Sequence, residues 1–135
     1  MFAQFARSAI AGENIVLHTE GKSRGNYCYI SDLVLGLFTI LFKGGNGEAY
    51  NIANPDASVT IREMAELVAD KISGGKVKAV IEMPEDIEKR GYAPNTAMRL
   101  SADKLMKLGW KPEFGLEEMY QRMISDWREG IKATD

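Results

Sequence analysis

Cysteine and histidine, the side chains most often used for metal binding and nucleophilic catalysis, are nearly absent from this sequence. Cys28 is the only cysteine and His18 the only histidine among 135 residues. A single cysteine excludes an intrachain disulfide, and without a second histidine or a Cys-x-x-Cys pair we expect no metal site. A Ser-His-Asp triad would have to use His18, and no Gly-x-Ser-x-Gly turn accompanies it. The scarcity of cysteine favours a reducing, cytoplasmic location.

The sequence also has neither a large net charge nor a long hydrophobic run. Its formal net charge of -2 provides no basic field for nucleic acid or anionic lipid. The longest nearly continuous apolar run, residues 33–42, is too short to span a bilayer. We therefore expect no nucleic-acid or membrane partner. The composition, 45% hydrophobic and 27% charged, is ordinary for a globular protein, and the length predicts a single domain, residues 1–135.

Hydrophobic periodicity and turn residues predict alternating helices and strands, which indicates the α/β class. The clearest boundary is a capping box, in which Thr60 and Glu63 each satisfy a backbone N–H of the other. A second helix is expected to be capped by Ser31 or Asp32 and to end at Phe42. The predicted helices cover 2–11, 31–42, 61–72, 102–108 and the residues from 116 onward; the predicted strands cover 15–18, 27–30, 48–53 and 77–82.

Three arginines on predicted turns are the residues best suited to hold a ligand. The guanidinium group presents a planar fork of donors that suits phosphate oxygens. Arg24 precedes Tyr27, and Arg90 precedes Tyr92, so an aromatic ring could stack on a base beside each of them. Arg99 is the third. The alternative for each is an ordinary solvated arginine.

Five short motifs follow one another in a fixed order along nearly the whole chain. They are GKSRGNYCYISD at 21–32, GEAYNI at 47–52, SVTIREMA at 58–65, KLMKLGWKP at 104–112 and LEEM at 116–119. Their order and spacing resemble the C-terminal part of the extended short-chain dehydrogenase/reductases, the NAD-dependent nucleotide-sugar epimerases and dehydratases. The resemblance implies a small C-terminal substrate-binding lobe that lacks the Rossmann dinucleotide-binding half.

The same resemblance implies which residues contact a nucleotide-diphosphate sugar. In the family, an arginine of the glycine turn reaches the substrate phosphates; that position falls on Gly25 here, one residue after Arg24. A second family arginine corresponds to the loop that carries Arg90 and Tyr92, again with the arginine one position early. The strand positions that border the base pocket complete the implied substrate site: Val16 and His18.

Two features of the resembled family are missing from this sequence. No Gly-x-Gly-x-x-Gly turn follows a strand, and no tyrosine has a lysine four residues later. We therefore expect no catalytic residues and no cofactor site in this chain, with NAD the cofactor of the full-length family enzyme. Two alternatives stay open: a stand-alone nucleotide or sugar-phosphate binding module, and a non-catalytic docking or oligomerisation domain.

The resemblance also implies an uncovered surface. In the family, the helix that matches residues 33–42 and the strand that matches residues 50–52 pack against the Rossmann half. Without that half, an apolar helix and an open strand edge would face water. We therefore expect the chain to associate with itself through this surface.

Overall fold

The structure is a computed structural model that describes residues 1–86, 91 and 94–132, with side chains described as far as residue 129. Helices and strands alternate along the chain, so the α/β class is confirmed. The helices are α1 (Phe2–Ala11), α2 (Ile30–Lys43), α3 (Ile61–Leu67), α4 (Asp103–Met106) and α5 (Leu116–Lys132); the strands are β1 (Ile15–Leu17), β2 (Arg24–Asn26), β3 (Ser58–Thr60) and β4 (Ala79–Ile81). A π-helical turn, Val68–Ile72, continues α3, and a 3₁₀ turn, Pro55–Ala57, precedes β3.

The described strands form two small sheets. β1 and β4 run parallel, with Ile15 opposite Ala79. β2 and β3 run antiparallel, with Arg24 opposite Thr60, and Ala97 forms an isolated bridge beside Arg24. Residues just before α4 are thereby brought against the edge of β2.

The main core lies between three helices and the β1–β4 pair. α1 packs against α5 and against the π-helical continuation of α3, while β1 contacts α1 and β4 contacts α3. The ring of Phe2 stacks on that of Tyr120, with the ring centroids 5.0 Å apart. The residues at the centre are almost completely buried: Ala6, Ile15, Met64, Val68 and Tyr120.

A second, smaller core of Ala102, Leu105 and Trp110 lies next to Asp32, a buried residue in the first turn of α2. Its Oδ2 accepts the backbone N–H groups of Glu113 and Phe114, both at 3.1 Å, and its carbonyl accepts the indole N–H of Trp110 at 2.9 Å. Gly36 lies one turn further along α2, where an added Cβ would come within 3.0 Å of Ile52 and 3.3 Å of the Trp110 indole nitrogen. The segment before α5 is therefore fastened to the inner side of α2.

Several predicted elements are confirmed, and the capping box is the clearest of them. The hydroxyl of Thr60 accepts the N–H of Glu63, while the carboxylate of Glu63 accepts the N–H of Thr60. α1 has the predicted bounds and ends at Gly12 with a φ of 73°, a left-handed conformation that favours glycine. β1, β4, α4 and α5 lie within or close to their predicted ranges.

Two predicted strands are wrong. The strand expected at 27–30 lies at 24–26, and Ile30 already begins α2. Neither Ser31 nor Asp32 caps that helix, because Asp32 points its carboxylate at the segment before α5 instead. Residues 48–53 form no strand, since their polar groups bond to loops: the Tyr50 hydroxyl accepts the N–H of Gly45, and Asn51 donates to the carbonyl of Ser101.

The outer side of α2 faces solvent, as expected for an uncovered helix. Leu37 and Phe38 are both about half exposed, at 54% and 52%. Among the residues that the structure describes, no helix combines the length and the apolar character needed to cross a membrane.

The Asp32 contacts lead to a prediction for stability. Replacing Asp32 with alanine should lower the free energy of unfolding by about 2 kcal/mol, because two partly buried backbone N–H groups lose a charged acceptor. Urea denaturation followed by circular dichroism measures the loss. Asp126→Ala, which removes an exposed carboxylate from α5, is the control. Equal losses in the two variants would contradict the anchoring role.

Candidate functional site

Arg24 lies in β2 and is held there by an ion pair. Its guanidinium donates to both carboxylate oxygens of Glu63, at 3.0 and 2.9 Å, and to the carbonyl oxygen of Ser58. The side chain of Arg24 is 21% exposed, compared with 49% for Glu63. One arginine thus links β2 to β3 and to the first turn of α3, and much of its donor capacity is used within the chain.

The position that carries arginine in the resembled family is Gly25. A Cβ on Gly25 would lie 3.3 Å from the hydroxyl oxygen of Tyr27. Successive side chains of a strand point to opposite faces, so a shift of one residue moves a side chain to the other face. Arg24 therefore does not occupy the place that position 25 offers, and its phosphate-binding role stays a prediction.

A pocket of about 490 Å³ lies beside Arg24, where β2, β3 and the segment before α4 meet. We call it the arginine pocket; its lining residues are Arg24, Asn26, Pro55, Ser58, Arg99, Leu100 and Ser101. The Asn26 side-chain oxygen accepts the N–H of Leu100 at 2.8 Å, which ties this segment to β2. The Ser101 hydroxyl accepts the N–H of Asp103 at 3.1 Å at the start of α4.

The arginine pocket is lined by two arginines, of which Arg24 is paired with Glu63. Glu63 balances the charge of Arg24, whereas Arg99 is exposed and has no bonded partner in the described part of the chain. The Ser58 hydroxyl is buried and likewise has no partner among the described residues. This arrangement suits an anion with several oxygens, such as a phosphate, with Arg99 as the cation free to meet it.

The other predicted site residues do not line this pocket. Val16 is half-buried in β1, opposite Val80, and His18 is exposed, with Nδ1 3.2 Å from the carbonyl oxygen of Glu82. Arg90 and Tyr92 lie outside the described residues. The substrate contacts predicted for these four residues stay predictions.

The structure adds three site residues that the sequence did not single out: Asn26, Ser58 and Ser101. Their contribution depends on the pairing of β2 with β3 and on the bridge at Ala97, which bring separate segments together. Short polar strands such as SVT carry too little hydrophobic pattern to be predicted. In the described ranges, no three His, Cys, Asp or Glu side chains cluster in a way that could hold a metal ion.

The contacts of Glu63 predict how stability depends on pH. The backbone N–H of Thr60 is the main cause that lowers the pKa of Glu63, and Arg24 adds to it. A lowered pKa in the folded state stabilises the fold above the ordinary glutamate pKa of about 4.3, and this contribution is lost as the pH falls through the folded-state pKa. Glu63→Gln should therefore lower the free energy of unfolding at pH 7. Below about pH 4, the difference in unfolding free energy between variant and parent should become smaller.

Denaturant titrations at a series of pH values measure this difference. Glu66→Gln is the matched control, because Glu66 lies one turn later on the same helix and pairs with Arg62 instead. If the difference in unfolding free energy between the parent and Glu63→Gln stays constant across the acid range, the ionised carboxylate of Glu63 does not stabilise the fold.

Two curated relatives match most of this chain in sequence. The dTDP-D-glucose 4,6-dehydratase of Mus musculus is 29% identical over 131 residues, which cover 88% of this chain and 35% of that protein. UDP-glucuronic acid decarboxylase 3 of Arabidopsis thaliana is 30% identical over 127 residues, which cover 93% of this chain and 34% of that protein. The chain thus spans about a third of the length of the curated relatives it matches. No protein-family model matches it.

Solved structures show the same relation in three dimensions. The UDP-glucose 4-epimerase of Thermotoga maritima, solved with UDP-glucose, matches 96% of this chain and 40% of its own, with a TM-score of 0.74 and 24% identity. The dTDP-glucose 4,6-dehydratase of Bacillus anthracis, solved with NAD, matches 95% of this chain and 38% of its own, with a TM-score of 0.69 and 19% identity. At these identities the structures establish the fold alone. Together with the sequence matches, they confirm the similarity of this chain to the C-terminal part of the NAD-dependent nucleotide-sugar epimerases and dehydratases, members of the extended short-chain dehydrogenase/reductase family.

Proposed function

We propose that this chain is the substrate-binding portion of an NAD-dependent nucleotide-sugar epimerase or dehydratase. It holds the nucleoside diphosphate of the substrate, and the groups that carry out the reaction come from a dinucleotide-binding unit. The observation that carries the proposal is the arginine pocket, a space of about 490 Å³ whose lining includes Arg24, Ser58 and Arg99.

The names of the relatives support the class of ligand. The sequence relatives are named for dTDP-D-glucose and UDP-glucuronic acid, and the Thermotoga maritima epimerase was solved with UDP-glucose. Each of these compounds carries a diphosphate, whose oxygens match the guanidinium donors of Arg24 and Arg99. Under this proposal Val16, His18, Arg90 and Tyr92 serve the remainder of the same substrate.

The residues of this chain do not fit the NAD of the family. A dinucleotide pyrophosphate binds where a strand leads through a glycine-rich turn into the N-terminus of a helix. Among the described elements, only β3 runs directly into a helix, α3. No glycine lies at that junction, and the side chains of Thr60 and Glu63 already occupy the helix N-terminus. NAD therefore enters the proposal only as the cofactor of the complete enzyme.

A binding measurement tests the pocket. UDP-glucuronic acid and dTDP-glucose should bind the chain weakly in isothermal titration calorimetry. Arg24→Met and Arg99→Met should each weaken binding by about 1.5–3 kcal/mol, the range for a hydrogen bond to a charged group. Arg122→Met is the control, because Arg122 pairs with Glu118 on α5 and does not line the pocket.

The pattern of losses separates the roles of the two arginines. Because Arg24 also holds Glu63, the unfolding free energy of each variant is measured alongside its affinity. Unchanged affinity in Arg99→Met would remove the arginine pocket from the proposal. Unchanged affinity in Arg24→Met alone would leave Arg24 a purely structural residue. No binding of either compound would favour the docking or oligomerisation domain instead.

A second prediction concerns turnover. Incubated with NAD and either nucleotide sugar, the chain should give neither reduced cofactor by absorbance nor a converted sugar by chromatography, since no tyrosine is followed by the lysine of a Tyr-x-x-x-Lys pair. A heat-denatured sample of the same chain provides the background. Product formation above that background by the pure chain would show that it is catalytically complete.

A further inference from the structure

The carboxylate of Glu63 holds the guanidinium of Arg24, which lines the arginine pocket, although Glu63 itself does not line it. An arginine side chain has five N–H donors. Two of its bonds run to the two carboxylate oxygens of Glu63, at 3.0 and 2.9 Å, and a third runs to the carbonyl oxygen of Ser58. An incoming anion therefore finds most of the donors of Arg24 already in use.

Both members of this pair are fixed in place by other bonds. Oε2 of Glu63 also accepts the backbone N–H of Thr60 at 2.7 Å, a bond of the capping box. The backbone N–H of Arg24 donates to the carbonyl of Thr96 at 2.8 Å, and the carbonyl of Arg24 accepts the N–H of Met98 at 3.0 Å. The carboxylate therefore cannot follow the guanidinium toward a ligand, and a ligand that takes over these donors has to break the pair.

The two arginines of the pocket differ in how readily they can meet an anion. Arg99 is exposed and has no bonded partner in the described part of the chain, whereas Glu63 offsets the positive charge of Arg24. A diphosphate carries negative charge on both phosphate groups, so it is held best when two cations face it. A carboxylate beside one of these cations competes with the diphosphate and repels it.

We propose that Glu63 is a positioning residue that limits the affinity of the arginine pocket for diphosphates, because its carboxylate competes with the ligand for the guanidinium of Arg24. The inference rests on the proposed function of this pocket and deepens it. Such a carboxylate is a repulsive element, which excludes anions that bind too weakly to displace it. A purely structural Glu63 predicts the opposite sign, since loss of a stabilising residue should leave ligand affinity equal or lower.

Glu63→Gln tests the competition with little change to the start of α3, because glutamine serves in a capping box as glutamate does. In isothermal titration calorimetry with inorganic pyrophosphate at pH 7, Glu63→Gln should bind at least about threefold more tightly than the parent, within the range that a partly exposed ion pair contributes. The same variant should be less stable in urea, so affinity and stability move in opposite directions. Glu66→Gln is the matched control, because it removes the same charge from the pair with Arg62, one turn later on α3.

The Arg24→Met background separates competition from general repulsion between charges. Because the competition acts through Arg24, Glu63→Gln should change the affinity for pyrophosphate much less when it is combined with Arg24→Met. Nuclear magnetic resonance of the parent chain gives a second readout, which needs no variant. The N–H of Thr60 lowers the pKa of Glu63 most and Arg24 adds to this effect, so saturation with pyrophosphate should raise the pKa of Glu63.

The outcomes distinguish this inference from the proposed function. Three results overturn the competition while the pocket still binds pyrophosphate: an affinity that Glu63→Gln does not raise, a gain of the same size in Glu66→Gln or in the Arg24→Met background, and a pKa of Glu63 that bound pyrophosphate leaves unchanged. If neither the parent nor Glu63→Gln binds pyrophosphate, the proposed function of the arginine pocket is wrong, and this inference is wrong with it.

Discussion

The buried carboxylate of Asp32 fixes the orientation of α2, and much else in this chain follows from that orientation. Its bonds to the backbone of residues 113 and 114 and the indole bond from Trp110 join the start of α2 to the segment that leads into α5. Gly36 lets the helix approach that segment closely. Because the inner side of α2 is fixed in this way, its apolar outer side has to face solvent or a partner.

Arg24 and Glu63 form the second constraint, and they shape the candidate site. The pair connects β2 to the capped start of α3, so the guanidinium that the sequence offers as a phosphate ligand also serves the fold. The carboxylate of Glu63 offsets the positive charge of Arg24. Arg99, without a bonded partner in the described residues, is the stronger candidate for an incoming anion.

The likeness to nucleotide-sugar dehydratases and decarboxylases covers nearly all of this chain but about a third of theirs. Within that third, the chain has a core of its own around α1, α3 and α5, where Met64, Val68 and Tyr120 are fully buried. None of the residues that line the arginine pocket belongs to this core, and the pocket suits a small anion.

The sequence by itself determined the elements whose signals are local. The 3.6-residue periodicity of α1 and α5, the reciprocal bonds of Thr60 and Glu63, and the glycine after α1 all act within a few residues of the chain. The ordered motifs determined the resemblance to the family. Tertiary structure decided where β2 and β3 lie, because short polar strands are specified by their pairing partners and not by their own pattern. It also decided the role of Asp32, which bonds to residues about eighty positions away instead of capping its own helix. The tertiary structure also forms the arginine pocket, since residues 24, 58 and 99 become neighbours only when the chain folds.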